Sequence, residues 1–114
     1  MVSFENYKEL ALSLPESEEY PHFDKISFRV KKKIFATYDA TKDLACVKLT
    51  ALEQSVFAYD EKIIYPIPNA WGKQGWTYID LKKVRKTVLK DVLKTAYCNV
   101  APKKMLEQLQ IKKP

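Results

Sequence analysis

A single histidine, His22, is the first residue to test for chemistry, and it stands in the turn-like run Tyr20-Pro21-His22-Phe23. One imidazole cannot build a multi-histidine metal site, and no Gly-x-Ser-x-Gly or comparable nucleophile motif accompanies it. His22 and Asp24 are able to share a proton or a metal, but a histidine that caps or packs at a sheet edge explains the same residues. The acids Glu16, Glu18, Glu19 and Asp24 supply carboxylate oxygens suited to a hard cation, without the spacing of a calcium loop. A solvated acidic surface is the simpler account. With only Gly72 and Gly75 there is no Gly-rich phosphate loop. The expectation is no catalytic residue, no metal ligand set, no cofactor, and a protein that is not an enzyme.

The basic residues are better organised. Lys82, Lys86, Lys90 and Lys94 recur every four residues, which aligns them on one ridge of a helix. Lys83 and Arg85 widen that band, and Asp91 is the only acid between Lys82 and Lys94. A solvated helical face is often charged, yet such faces usually mix signs to gain pairs four residues apart; six bases against one acid do not. Lys82 and Lys83 also fall in the expected first turn, where cations oppose the helix macrodipole. A solvated face and a phosphate-binding face both satisfy the pattern.

Trp71-Gly72-Lys73-Gln74-Gly75-Trp76 is the most distinctive short segment. It contains the Gly-x-x-Gly of KH clamps, but that clamp joins two helices and here the flanks read as loop and strand. The KH reading fails. What remains is a turn presenting Lys73, Gln74 and two tryptophans near Tyr78, and aromatics beside a lysine can stack on bases or close over a ligand. Trp76 and Tyr78 are expected to pack in a sheet. Trp71 and Lys73 are the candidates for exposure, with Trp71 and Gln74 as a partner or ligand surface.

The elements that must carry these residues follow from periodicity. Ser3 is a plausible N-cap for a helix in which Phe4, Tyr7, Leu10, Ala11 and Leu14 recur at three- and four-residue steps, ended by Pro15. Glu16 to Pro21 reads as an acidic loop. Ile26, Phe28 and Val30 then alternate with polar neighbours, as in a half-buried strand, and Ile34 to Tyr38 continues as a second. Lys31-Lys32-Lys33 joins them as a hairpin, although the turn lacks Gly or Asn. After a polar turn from Asp39 to Asp43, Leu44 to Leu49 is a third strand with Ala45, Val47 and Leu49 facing the core. Thr50-Ala51-Leu52-Glu53 is a capping box for a short helix through about Ala58.

Ile63 to Ile67 and Trp76 to Asp80 are the remaining strands, separated by a loop from Asn69 to Gly75. Asp80 is expected to cap the longest helix, with Leu81, Val84, Val88, Val92 and Ala96 as its apolar stripe. Residues from about 103 to 114 read as a short C-terminal helix or tail. The order α-β-β-β-α-β-β-α implies an α+β two-layer sandwich, its antiparallel sheet covered by helices on one face.

The whole is one domain over residues 1–114. At 114 residues the chain has room for one core. Hydrophobic residues at 46% and charged residues at 30% exclude wholesale disorder. No apolar run is long enough to cross a membrane. The first residues lack a basic n-region and an apolar h-region, from which a cytoplasmic location is expected. Cys46 and Cys98 lie 52 residues apart and read as reduced thiols, Cys46 as a small core residue.

Several of these segments resemble one family. Residues 21–30 (Pro-His-Phe-Asp-Lys-Ile-Ser-Phe-Arg-Val), Lys33 to Thr37, Trp71 to Thr77, and Ala96 to Lys104 are similar to the MmcQ/YjbR family, and the similarity runs from about residue 3 to 107. The resemblance implies a fold likened to type III secretion chaperones and frataxin-like sandwiches, and DNA binding by a double-wing arrangement of hairpins. Many members carry Asn-Lys-x-x-Trp before the last strand; here Lys73 and Trp76 match, and Gly72 stands where Asn is common.

The leading expectation is therefore a non-catalytic, low-specificity protein for double-stranded DNA. Lys31, Lys32 and Lys33 would be a wing tip, and Lys73, Lys82, Lys86, Lys90 and Lys94 phosphate contacts. Only two arginines, Arg29 and Arg85, are available for bidentate reading of guanine. The alternatives are a protein-interaction or chaperone-like module presenting Trp71, and a small-molecule or metal-binding domain near His22. The net charge of +6 is unevenly placed: residues 1–24 hold six acids and one base, net −5, and residues 25–114 hold nineteen bases and eight acids, net +11. Such polarity favours a polyanion more than the sum suggests.

Overall fold

The computed structural model describes residues 2–110, so positions 111–114 of the expected tail lie outside the described residues. Ser3 acts as the N-cap its position suggests, its hydroxyl accepting from the Asn6 amide at 3.1 Å. Helix α1 (Phe4–Leu12) follows and buries Tyr7 and Ala11. The acidic stretch after Pro15 is not a loop. It forms an edge strand, β1 (Ser17–His22), paired antiparallel with β2 (Lys25–Val30) in the register Ser17↔Val30 to His22↔Lys25. An edge strand hides its identity from periodicity: solvent-facing acids replace the apolar alternation, and Pro21 is tolerated where one side has no partner.

The Lys31-Lys32 turn connects β2 to β3 (Lys33–Asp39) with φ of 48° and 70° at its two central residues. Positive φ at both is the type I′ requirement that matches strand twist, here met by two lysines in place of Asn-Gly. A register shift follows, Phe28 pairing with Ala36 and Arg29 with Ile34. Phe35 is thus the extra residue of a bulge, and Phe35 and Ala36 are both fully buried. Strand β4 (Leu44–Lys48) sends Ala45 and Val47 to the core, as its alternation predicts.

Thr50 caps α2 (Ala51–Phe57) through the full capping box. Glu53 returns to the Thr50 amide at 2.9 Å and also accepts from Asn99 at 2.7 Å, tying the helix to the far end of α4. The remaining elements are β5 (Ile64–Pro66), α3 (Ala70–Lys73), β6 (Trp76–Asp80), α4 (Lys86–Val100) and α5 (Lys103–Gln110).

Two further expectations change. The Asn69–Gly75 segment contains a helical turn, α3, capped by the Asn69 side chain on the Trp71 amide at 2.8 Å. Asp80 caps no long helix: it accepts from the Lys82 amide at 2.9 Å in a turn, and α4 begins only at Lys86. Leu81 and Val84 are buried, but in that turn rather than on the helical stripe.

The six strands form one antiparallel sheet in the order β1-β2-β3-β4-β6-β5. Helices α1 and α4 cover one face. Tyr7 of α1 meets the Phe28 ring edge-on at 5.6 Å, and Tyr97 of α4 meets Phe35 at 5.5 Å. Both tyrosines have polar ends, and burial requires that these be bonded. Tyr7 donates to the Thr37 carbonyl at 3.0 Å and Tyr97 to that of Pro15 at 2.6 Å, and burial pushes the Tyr97 phenol up to about 12. Each fully buried Phe or Leu in this layer contributes about 1.5–3 kcal/mol of apolar burial. The fold is the α+β two-layer sandwich that the sequence implies. No described helix is long and apolar enough to cross a membrane.

Candidate nucleic-acid interface

Lys86, Lys90 and Lys94 run along one flank of the buried face of α4 formed by Leu89, Val92, Leu93 and Ala96. Lys86 and Lys90 are exposed and Lys94 is half-buried. Lys82 is exposed but not helical, because it stands in the turn after β6 beside Lys83. Arg85, the N-cap residue, makes no side-chain cap, and no acid occupies the first turn of α4. The positive end of the helix is thus surrounded by Lys82, Lys83, Arg85 and Lys86, an arrangement that repels itself until an anion is present. Among the described residues only Lys83 of these four approaches a carboxylate, that of Asp80 at 4.0 Å. A groove of about 290 Å³ between this end of α4 and the Phe57–Ile64 connection is lined by Lys83 and Arg85.

The lysine turn lies elsewhere. Lys31 is drawn to Glu16 at 2.8 Å, and that carboxylate holds its ammonium above the ordinary lysine range. Lys32 and Lys33 are exposed, with no carboxylate within 4 Å among the described residues. Along β3 the turn is six residues from Asp39, about 20 Å of strand. Asp39 pairs with Leu44, and Leu44 with Asp80, so Lys82 and the start of α4 are at the opposite end of the sheet. Helix α4 crosses back toward the turn, since Asn99 donates to the Lys48 carbonyl at 3.4 Å.

Trp71, Lys73 and Gln74 come together on α3 and its C-cap, at the end of the sheet where the lysine turn lies, and Trp71 lines the same groove as Ile34. Trp71 is 58% exposed and Lys73 is exposed, as expected. The Gln74 carbonyl accepts from Lys48 Nζ. The glycine at position 72 has a steric reason: a Cβ there would sit 1.8 Å from the Ile67 carbonyl oxygen. No Asn fits this backbone path. Gly75 combines φ of +106° with equally close approach to the Leu49 carbonyl. These two close contacts seat α3 against the end of the sheet.

The second face of the sheet is uncovered, and sequence reasoning missed what it assembles. Strand register places Tyr20, Ser27, Thr37, Cys46, Tyr78 and Tyr65 in one row across it. The small residues in the middle leave a groove of about 230 Å³, walled by Trp71, Trp76 and Tyr78 and reached by His22 and Lys25. Cys46 is buried on this face, not in the helix-covered core, and burial pushes its thiol up to about 12. Three cations rest over rings here: Arg29 on Tyr20 at 5.2 Å, Lys42 on Tyr78 at 6.0 Å, and Lys48 on Trp76 at 5.6 Å. The available signal was the complement of the core alternation. Once Ala45, Val47 and Ile79 face inward, Cys46, Trp76 and Tyr78 must face outward together.

The acidic cluster near His22 is dispersed by β1. Glu16 goes to Lys31 and Glu19 to Lys8 at 3.1 Å, while Glu18 and His22 share the uncovered face. Among the described residues no group of three or more His, Cys, Asp or Glu is placed to hold a metal ion.

The fold is similar to that in the crystal structure of Deinococcus radiodurans protein DR2400, which has a DUF419 family-model domain. The TM-score is 0.76 and the identity 21%, over 96% of this chain and 88% of that one. No curated protein matches the chain. A family model described as YjbR matches residues 12–99, which span both the lysine turn and the whole tryptophan segment. The chain belongs to the YjbR family.

Proposed function

We propose that this protein is a non-catalytic, low-specificity binder of double-stranded DNA, with the N-terminal end of α4 as its principal phosphate contact. The observation that carries the reading is the set of exposed cations, Lys82, Lys83, Arg85 and Lys86, around a helix end with no capping side chain. Cations at a positive helix end are unfavourable by about 0.3–1 kcal/mol each, and a phosphate there reverses the sign of the interaction. Lys90 and Lys94 extend the contact along the helix. Lys31 is engaged with Glu16 and its turn is at the other end of the sheet, so the wing tip supplies a separate and weaker contact. Phosphate contacts of this kind position a duplex without reading it, which matches the low specificity.

The test is a salt titration of binding to a short duplex. Four to six contacts predict that log K falls with log salt at a slope of about −4 to −5, from −0.9 per neutralised phosphate. The Lys86→Glu/Lys90→Glu double variant should lose most of the affinity and flatten the slope, and Lys32→Glu should change both much less. Binding that ignores salt, or no binding to any duplex at low salt, would refute the reading.

A further inference from the structure

The uncovered sheet face carries a second site whose chemistry differs from that of α4. We infer that it binds an unpaired segment of nucleic acid, with bases stacking on Trp71, Trp76 and Tyr78 and phosphates meeting Lys25, Lys42 and Lys48. This does not rest on the duplex reading, since it uses none of the lysines of α4.

Shape comes first. The groove of about 230 Å³ is smaller than the roughly 300–1,000 Å³ typical of pockets for drug-sized ligands, and it is open along the sheet. It has room for a base but not for an elongated cofactor. Its floor, Thr37 and Cys46, is low because the side chains are small, and its walls include the flat rings of Trp71, Trp76 and Tyr78. Trp71 overhangs the groove from α3 at 58% exposure. A base still stacked in a duplex cannot enter beneath it, whereas an unpaired base can.

Charge selects the same partner. Lys25, Lys42 and Lys48 have no carboxylate within 4 Å among the described residues. One acid lines the groove, Asp39, which accepts from the Thr41 hydroxyl and from the Thr41 and Lys42 amides and keeps its charge, so the three lysines beside the groove outnumber it. Exposed Lys42 rests over the face of Tyr78, where a cation is only weakly held. Half-buried Lys48 rests over Trp76 and donates to the Gln74 carbonyl, a bond it would exchange for a phosphate. Their stems let the ammonium groups swing to phosphates while a base takes the ring face. Stacking on rings with cations beside them tolerates any sequence, because every base has a π-face.

Both tryptophans of the chain line this groove, so intrinsic emission reports its occupancy directly. The full chain would be titrated at low salt with short oligothymidylate, thymidine monophosphate and a short duplex, following tryptophan emission and the anisotropy of labelled oligothymidylate. Oligothymidylate is expected to quench the emission, and Trp71→Ala to weaken its binding about tenfold, within the range for one lost stacking partner. Trp71 is exposed and its backbone bond to Asn69 is kept in that variant; Lys48→Glu is the second variant and is expected to weaken binding as well. The Lys86→Glu/Lys90→Glu protein should retain the quench while losing the duplex, which separates the two sites. Four results overturn the inference: no quench at low salt, oligothymidylate affinity unchanged in both Trp71→Ala and Lys48→Glu, the monophosphate binding as tightly as the oligomer, or loss of the quench in the α4 variant.

Discussion

Gly72 shows how much a single residue can settle at the tryptophan segment. The MmcQ/YjbR resemblance places an Asn at this position in many relatives, yet here the Ile67 carbonyl occupies the space a Cβ would need. Gly72→Asn is therefore expected to destabilise the protein by about 1–3 kcal/mol, as forced overpacking does. Urea denaturation followed by tryptophan emission measures it, and an unchanged midpoint would show that α3 can relocate at no cost. The sequence identified the departure from the motif but not its cause, because the clash comes from backbone five residues away. Cys46 teaches the same lesson: its burial was legible, but which face it lies on depends on the register of three strands.

At the scale of elements, what the sequence revealed depended on whether the signal was local. The Thr50-Glu53 capping box and the alternation of Ile26, Phe28 and Val30 are short-range patterns, and both appear where expected. Strand β1 was hidden because charge replaced alternation on an edge, and α3 because four residues are too few to show a period. Asp80 has cap chemistry but spends it on a turn, delaying α4 to Lys86 and removing Lys82 from the helical ridge. The Lys31-Lys32 turn is the costliest local choice, since each non-glycine residue in the left-handed region costs about 1–2 kcal/mol. Replacing the pair with Asn-Gly should stabilise the fold by about 1 kcal/mol, the relief being partly offset by the lost exposed Lys31–Glu16 pair. A higher urea midpoint with unchanged slope would bear this out; a lower midpoint would show that Lys31 and Lys32 do more for the hairpin than close it.

Across the whole molecule, the polarity read along the chain becomes a polarity in space. Of the acids of residues 1–24, Glu18 and Glu19 sit on the edge strand β1, and Glu16 and Asp24 in the turns on either side of it. Glu5 and Glu9 sit on α1, whose start is tied to the end of β6 by the Val2 amide donating to the Leu81 carbonyl at 2.8 Å. The cations from Lys82 to Lys90 gather near β5, at the other edge, where Ile63 and Ile64 line the groove beside Arg85. The acidic β1 edge lies across the sheet from β5 and Arg85, which orients the molecule on approach to a polyanion and keeps β1 off it. The candidate lysines were legible from spacing, but their division into two groups was not, because only the strand register shows that the lysine turn and the start of α4 occupy opposite ends. The most direct test is amide chemical-shift mapping of the full chain titrated with a short duplex at low salt. The account predicts shifts that grow along residues 82–94 and disappear as salt is added, with β1 unmoved. Shifts confined to other surfaces, or an unperturbed α4 at saturating duplex, would contradict it.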